Sequence, residues 1–303
     1  VTGAQVSGGG EQGAAGRDAA GGSAAGRGAV GQGASRAGRD LRSAIVVGVG
    51  LGAVILFALF TVRQTFVGIV AVAVAVSMYE LAGAVKRGAG IRVALVPVLL
   101  GGQAVVWLAW PYGRDGVLTA FAVTVLVCLL WRLKDGADGY LRDVTASIFT
   151  VVYVAVFASF AVMLVVAEDG VFRVLCFLIG VVLSDTGGYA AGVFLGKHPM
   201  APTISPKKSW EGFAGSMVAG MVGGALTVGL MLGGQWWQGV LFGASLVVTA
   251  TTGDLVESLI KRDLGIKDMG TLLPGHGGLM DRMDSLLPSA VVSSLLLQAF
   301  VPA

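Results

Sequence analysis

Long apolar runs separated by short polar segments dominate the chain after residue 43. Windows of about 20 predominantly apolar residues, the length a helix needs to cross a hydrocarbon core, recur at 44–62, 65–85, 93–111, 117–131, 144–167, 171–195, 212–233, 238–260 and 284–301. The runs are long enough to cross as helices, unlike the short alternating strands of a barrel. The pattern predicts an all-α polytopic integral membrane protein with about nine transmembrane helices. The fourth run is short, and Arg63-Gln64 alone separate the first two, which are expected to form an antiparallel hairpin.

Residues 1–42 depart from this pattern. They are Gly, Ala, Ser and scattered Arg with few larger aliphatics, a composition that buries too little surface to fold, and they are expected to be a disordered cytoplasmic tail. The division is therefore 1–42 as tail and 43–303 as membrane domain. No signal-peptide pattern is expected, because the first apolar run extends far past a signal core without a convincing cleavage site. An initial Val is what a literal reading of a GTG start codon gives, which points to a bacterial chain and its cytoplasmic (inner) membrane.

Composition agrees. The 303 residues are 55% hydrophobic and 13% charged, with a mean hydropathy of +0.82, which is more apolar surface than a water-soluble core accommodates. Cys128 and Cys176 lie in apolar runs without metal or redox spacing and are expected to pack. A net charge of +3 gives no sign of nucleic acid; where the cations sit is more telling. With the N-terminus cytoplasmic and the C-terminus outside, all but Arg63, Arg114 and Arg173 of the 21 Lys and Arg residues fall on the inner side. The segments 196–211 and 261–283 are then cytoplasmic, where nucleotides are found. Trp107, Trp110, Trp236 and Trp237 fit interfacial anchors.

The segment Ser258 to Asp284, SLIKRDLGIKDMGTLLPGHGGLMDRMD, concentrates four acids, four cations and a His beside apolar runs. Asp281 and Asp284 stand three apart at an expected helix start and share a face, as a divalent cation requires. Gly275-His276-Gly277-Gly278 just precedes them, and glycines let a backbone approach a phosphate closely. Lys261, Arg262, Lys267 and Arg282 add positive charge. Each residue alone is equally consistent with a solvated juxtamembrane loop; the combined spacing is not.

Two further constellations stand beside it. Ile204-Ser205-Pro206-Lys207-Lys208-Ser209-Trp210-Glu211-Gly212 joins adjacent lysines to a helix start and forms an anion cradle, although a Lys-Lys pair at a membrane edge also serves as a topology signal. Glu211 is expected to cap or line that cradle. Asp254, Glu257, Ser258 and Lys261 stand at i, i+3, i+4 and i+7 and share one helix face. Intramembrane acids line a wet cavity or pair; the pairing alternative is Asp254 with Lys261 or Glu257 with Arg262. Asp185, near a span end, is a fourth acid for the same cavity. Glu80 is more isolated, with Lys86 or Arg87 as expected partners and no assigned chemistry, and His198 beside Pro199 reads as structural.

The Ser258–Asp284 segment resembles the signature of the phosphatidate cytidylyltransferases (CDP-diacylglycerol synthases) at Ser258, Lys261-Arg262, Lys267-Asp268, Gly270, Leu273-Pro274, His276-Gly277-Gly278 and Asp281-Arg282-Met283-Asp284. The segment 205–212 is similar to that family's SPKKS-x-EG stretch. The resemblance implies an integral membrane enzyme that joins CTP and phosphatidate into CDP-diacylglycerol and releases pyrophosphate. Two anions must meet in such nucleotidyl transfer, so metal and cationic side chains are needed. Asp254, Asp281 and Asp284 are the candidate Mg²⁺ ligands, with a second cation allowed, and with Lys261 they form the candidate catalytic set. Ser205, Lys207, Lys208, Arg262, Lys267, His276, Gly277 and Arg282 are the candidate substrate-binding residues, His276 as a phosphate contact. The expected partners are CTP, phosphatidate and membrane lipid, with a homodimer compatible but not required. The alternatives are a CTP-dependent lipid-alcohol kinase and an ion-coupled secondary transporter, the latter disfavoured because no internal repeat is visible.

Overall fold

The computed structural model describes residues 48, 50, 52–270, 272 and 277–301. The expected tail, the beginning of the first span and His276 lie outside them. The chain is an all-α multi-pass membrane protein: among the described residues seven helices are long and apolar enough to cross a membrane, preceded by a shorter apolar helix. In chain order they are α1 (Gly52–Thr61), α2 (Arg63–Ala89), α3 (Leu95–Leu133), α4 (Tyr140–Val166), α5 (Gly170–Leu195), α6 (Trp210–Leu232), α7 (Trp236–Asp263) and α8 (Met280–Phe300). A turn at Asp284-Ser285 interrupts α8.

The runs expected as third and fourth spans both fall within α3, and the sequence explains how. Pro111 lacks an amide donor, and Gly113 takes φ 53° and ψ −131°, outside helical geometry. Gly101 packs directly on the side chain of Thr124, yet in a straight helix these positions would stand about 35 Å apart. The chain therefore folds back at Gly113 into two packed helices.

Helices in lipid gain little hydrophobic drive from touching one another, so close backbone approach supplies their packing. Gly220 and Gly224 of α6 face Gly239 and Gly243 of α7, and a methyl group on Gly243 would collide with the Gly220 carbonyl. Gly187 and Gly188 of α5 meet α6 at Gly215 and Ser216 in the same way. This three-helix unit gathers the ends of α5, α6 and α7.

Polar contacts sort the two ends of the bundle. Arg63 donates to the carbonyls of Ala167 and Glu168 at 2.8 and 2.7 Å, Arg173 binds Asp169 at 2.5 Å and the Leu297 carbonyl at 3.2 Å, and Arg114 reaches Gln298 at 2.5 Å. The three cations assigned to outer loops thus meet at one end, beside the C-terminal turn. At the other end Arg132 and Asp143 form a buried ion pair of 2.7 Å, and the Arg92 amide donates to the same carboxylate at 3.1 Å.

One element departs from the helix-only expectation. Between α5 and α6, β1 (Pro199–Ala201) and β2 (Ser205–Ser209) pair antiparallel, with Pro199 opposite Ser209 and Ala201 opposite Ser205. Strands of three and five residues carry no readable alternation.

Candidate functional site

The β-hairpin leads directly into α6. Ser209 is its N-cap: extended backbone turns the chain, and the hydroxyl accepts from the Gly212 amide at 3.1 Å. Glu211 in the first turn reaches back, accepting from the amides of Lys197 and His198 at 3.1 and 3.2 Å and pairing with the His198 ring at 2.5 Å. Glu211 and His198 thereby clip the base of the hairpin to the helix. They hold the base of the hairpin that carries Lys207 and Lys208 and do not themselves line the cavity below.

That cavity, about 330 Å³ in volume, opens between the hairpin and α5, α6 and α7 and is lined by Asp185, Tyr189, Lys207, Lys208, Thr251 and Asp254 together with small and apolar residues. Lys208 Nζ lies 2.5 Å from Asp254 Oδ2, and the Asp254 side chain still keeps 39% of its surface exposed, so the pair faces the open space. Asp185 shares this cavity with Lys208 and Asp254, while Asp284 does not line it and packs its backbone against Gly253, next to Asp254. Two expected pairings are corrected here: Asp254 pairs with Lys208 from the hairpin, and Glu257 pairs with Lys261, not Arg262. Spacing along one helix could not show the hairpin partner of Asp254, whereas Glu257 and Lys261 stand at i and i+4 on the same helix.

The signature segment is built differently. Lys261 Nζ bridges Glu257 at 2.6 Å and Asp281 at 3.1 Å. Asp281 also accepts from the amides of Met269 at 3.0 Å and Gly278 at 2.7 Å, and only 6% of its side chain is exposed. Gly277, at φ 79°, supplies the left-handed turn that brings this backbone around the carboxylate. Asp281 is therefore the anchor of the segment. Asp284 accepts from the Ser285 amide at 2.6 Å. Asp254, Asp281 and Asp284, expected together around one metal ion, form no three-ligand cluster among the described residues, because Asp281 is turned toward Lys261 and the backbone.

The other expected residues are spread around this core. Arg262 reaches the Ile204 carbonyl of the hairpin at 3.4 Å, linking the two charged segments. Lys267 is exposed, Gly277 packs near Asp281 and Asp268, and Ser205 sits in β2 without lining the cavity. Arg282 borders a separate apolar cavity of about 630 Å³ formed with Leu279, Met283 and residues of α2, α4, α5 and α8. Tyr189 and Thr251 also line the first cavity; they stand in the stretches Ser184-Asp185-Thr186-Gly187-Gly188-Tyr189 and Thr251-Thr252-Gly253-Asp254, where the acids are the more conspicuous residues.

A model of the cytidylyltransferase family matches residues 42–300. The chain is 51% identical over 276 residues to a phosphatidate cytidylyltransferase of Mycobacterium bovis, covering 87% of this chain and 90% of that protein. It is 49% identical over 278 residues to the phosphatidate cytidylyltransferase of Mycobacterium leprae, covering 86% and 89%. A phosphatidate cytidylyltransferase of Helicobacter pylori is 41% identical over 133 residues, 44% of this chain and 49% of that protein.

Proposed function

This chain belongs to the cytidylyltransferase family, and from that membership we propose how its residues divide the transfer of the cytidylyl group of CTP to phosphatidate, which yields CDP-diacylglycerol and pyrophosphate. The similarity to phosphatidate cytidylyltransferases selects this reaction over the lipid-alcohol kinase and the transporter. The observation that carries the assignment is the convergence of Lys207 and Lys208 with Asp185 and Asp254 in one open cavity. A lysine on a half-exposed carboxylate at a cavity mouth can also make charge-assisted hydrogen bonds to the phosphate oxygens of an incoming anion. The triphosphate of CTP binds Lys207 and Lys208 there, and a phosphatidate oxygen, already anionic at neutral pH, attacks the α-phosphorus in line. Pyrophosphate leaves against the same cationic edge, to which Arg262 is tied through Ile204.

Mg²⁺ suits this donor set. The ion takes oxygen ligands and is bound through one or two carboxylates together with substrate phosphates and water; Asp254 in the cavity and Asp284, whose backbone packs on the neighbouring Gly253, would provide two such carboxylates. A bound Mg²⁺ supplies Lewis-acid neutralisation of phosphate charge. Asp281, through Lys261 and two backbone amides, keeps the segment that carries Asp284 in place.

We place the site on the cytoplasmic side of a bacterial inner membrane, in a nine-span arrangement with the N-terminus inside, supported by the cation asymmetry and by the gathering of Arg63, Arg114 and Arg173 at one end of the bundle. A cysteine at the exposed hairpin position Thr203 resists a membrane-impermeant thiol reagent in intact cells and reacts in inverted vesicles; labelling from outside overturns the placement. The function is tested with purified protein in detergent, labelled CTP, phosphatidate and Mg²⁺. Labelled lipid and stoichiometric pyrophosphate are expected, and release of CDP with a phosphorylated lipid would instead identify a kinase.

A further inference from the structure

One face of α2 lies against the signature segment, and it does so through polar atoms. Ser77 Oγ meets Met283 Sδ at 3.2 Å, Glu80 Oε2 accepts from the Met280 amide at 2.9 Å, and Arg87 Nη2 donates to the Met269 carbonyl at 2.8 Å. Ser77, Glu80 and Arg87 are spaced by three and seven, so they share a helix face. Below them Gly88 packs on Leu264 with no room for a side chain. The expected pairing of Glu80 with Lys86 or Arg87 is thus corrected: its carboxylate turns inward, only 7% of the residue is exposed, and Oε1 has no hydrogen-bond partner among the described residues.

The loop is shaped to this carboxylate. A methyl group on Gly278 would sit 2.5 Å from Glu80 Oε2, and one on Gly270 would also collide with the Glu80 side chain. Both glycines belong to the segment whose C-terminal end carries Asp281 and Asp284, and the Gly278 amide is itself a donor to Asp281. A buried carboxylate is costly unless hydrogen bonded, so an acid in this position is poorly explained by packing alone.

We propose that Glu80 is a positioning residue for cytidylyl transfer: it holds the Gly278–Met280 backbone so that Asp281 closes on Lys261 and Asp284 faces Asp254. Glu80 touches neither substrate in this account; it acts through the backbone of the signature segment. The inference rests on the proposed role of Asp254 and Asp284 at the reacting phosphates.

The test compares full-length wild-type protein with Glu80→Gln, Glu80→Ala, Gly278→Ala and the Glu80→Ala/Gly278→Ala pair in detergent, normalised to folded protein by thermal unfolding. Glu80→Ala should lower kcat by about ten-fold or more, the scale of a lost buried hydrogen bond, and raise the Mg²⁺ concentration at half-maximal rate. Glu80→Gln, whose amide oxygen still accepts from Met280, should recover most of that loss. Gly278→Ala should be impaired, and the double variant should fall little below the worse single, because both changes disturb one contact. A role limited to stability lowers the folded fraction and leaves kcat per folded enzyme and the Mg²⁺ dependence unchanged; that result overturns the proposal, as does strict additivity of the two substitutions. If Glu80→Ala does not fold, Glu80→Gln and Gly278→Ala decide: wild-type kcat and Mg²⁺ dependence in folded Gly278→Ala overturns the proposal, and impairment of it with activity retained in Glu80→Gln supports it. An inactive wild-type protein would instead count against the cytidylyltransferase reading.

Discussion

The two charged segments of this protein use the same residue types to opposite ends. In the hairpin, Lys207 is exposed and Lys208 stands on a half-exposed carboxylate at the mouth of a cavity. In the signature segment, Asp281 is almost fully enclosed and takes up Lys261 and two backbone amides. Charges left facing open space can exchange partners for a substrate, whereas charges satisfied from every side organise backbone. On this account the hairpin governs how tightly CTP is held, and the signature segment governs what happens once it is held.

That division separates the kinetic constants. Asp281→Asn and Asp284→Asn should each lower turnover by two orders of magnitude or more while the protein remains folded in membranes, because an amide cannot replace the charge facing Lys261 or, at position 284, the anionic ligand. Near-normal turnover of both variants at saturating Mg²⁺ would end the distinction. Lys207→Ala removes one point charge from the triphosphate and should weaken CTP about ten-fold with a smaller change in kcat, measured from the dependence of initial rate on CTP. His198→Ala loosens the clip between hairpin and helix without removing a phosphate contact, so KM for CTP should rise by less than about five-fold, in keeping with an exposed pair. Smallest of all, a chain starting near Arg42 should insert and turn over CTP as the full chain does; loss of specific activity at equal expression would show that the Gly/Ala-rich segment contributes.

Most of the architecture was legible because a membrane span needs a long apolar run, and no fold can hide such a run. The exception at α3 is one of counting: the runs at 93–111 and 117–131 are there, and the break is a single glycine at positive φ. What the structure does with the charged segments was partly legible where charge density was improbable: Lys207-Lys208 line the cavity and Asp281 pairs with Lys261, whereas Arg282 borders a separate apolar cavity. The roles were less so. Nothing in the spacing of Asp254 and Lys261 could show that the first pairs across to the hairpin and the second toward Asp281, since these contacts depend on how α7 packs between its neighbours. Glu80 was unreadable for the same reason: its partners lie 200 residues away in the chain, and its fit is recorded in the glycines opposite it, not in its own surroundings.

The central claim is that the cavity beneath the hairpin receives the phosphates of CTP, and equilibrium binding of CTP with Mg²⁺ to purified wild-type and Lys208→Ala protein tests it without requiring turnover. A charged hydrogen bond of about 1.5–3 kcal/mol predicts a Kd about 10- to 150-fold higher for Lys208→Ala. An unchanged Kd in a folded variant would contradict the assignment and return Lys208 to the role of a topology signal paired with Asp254.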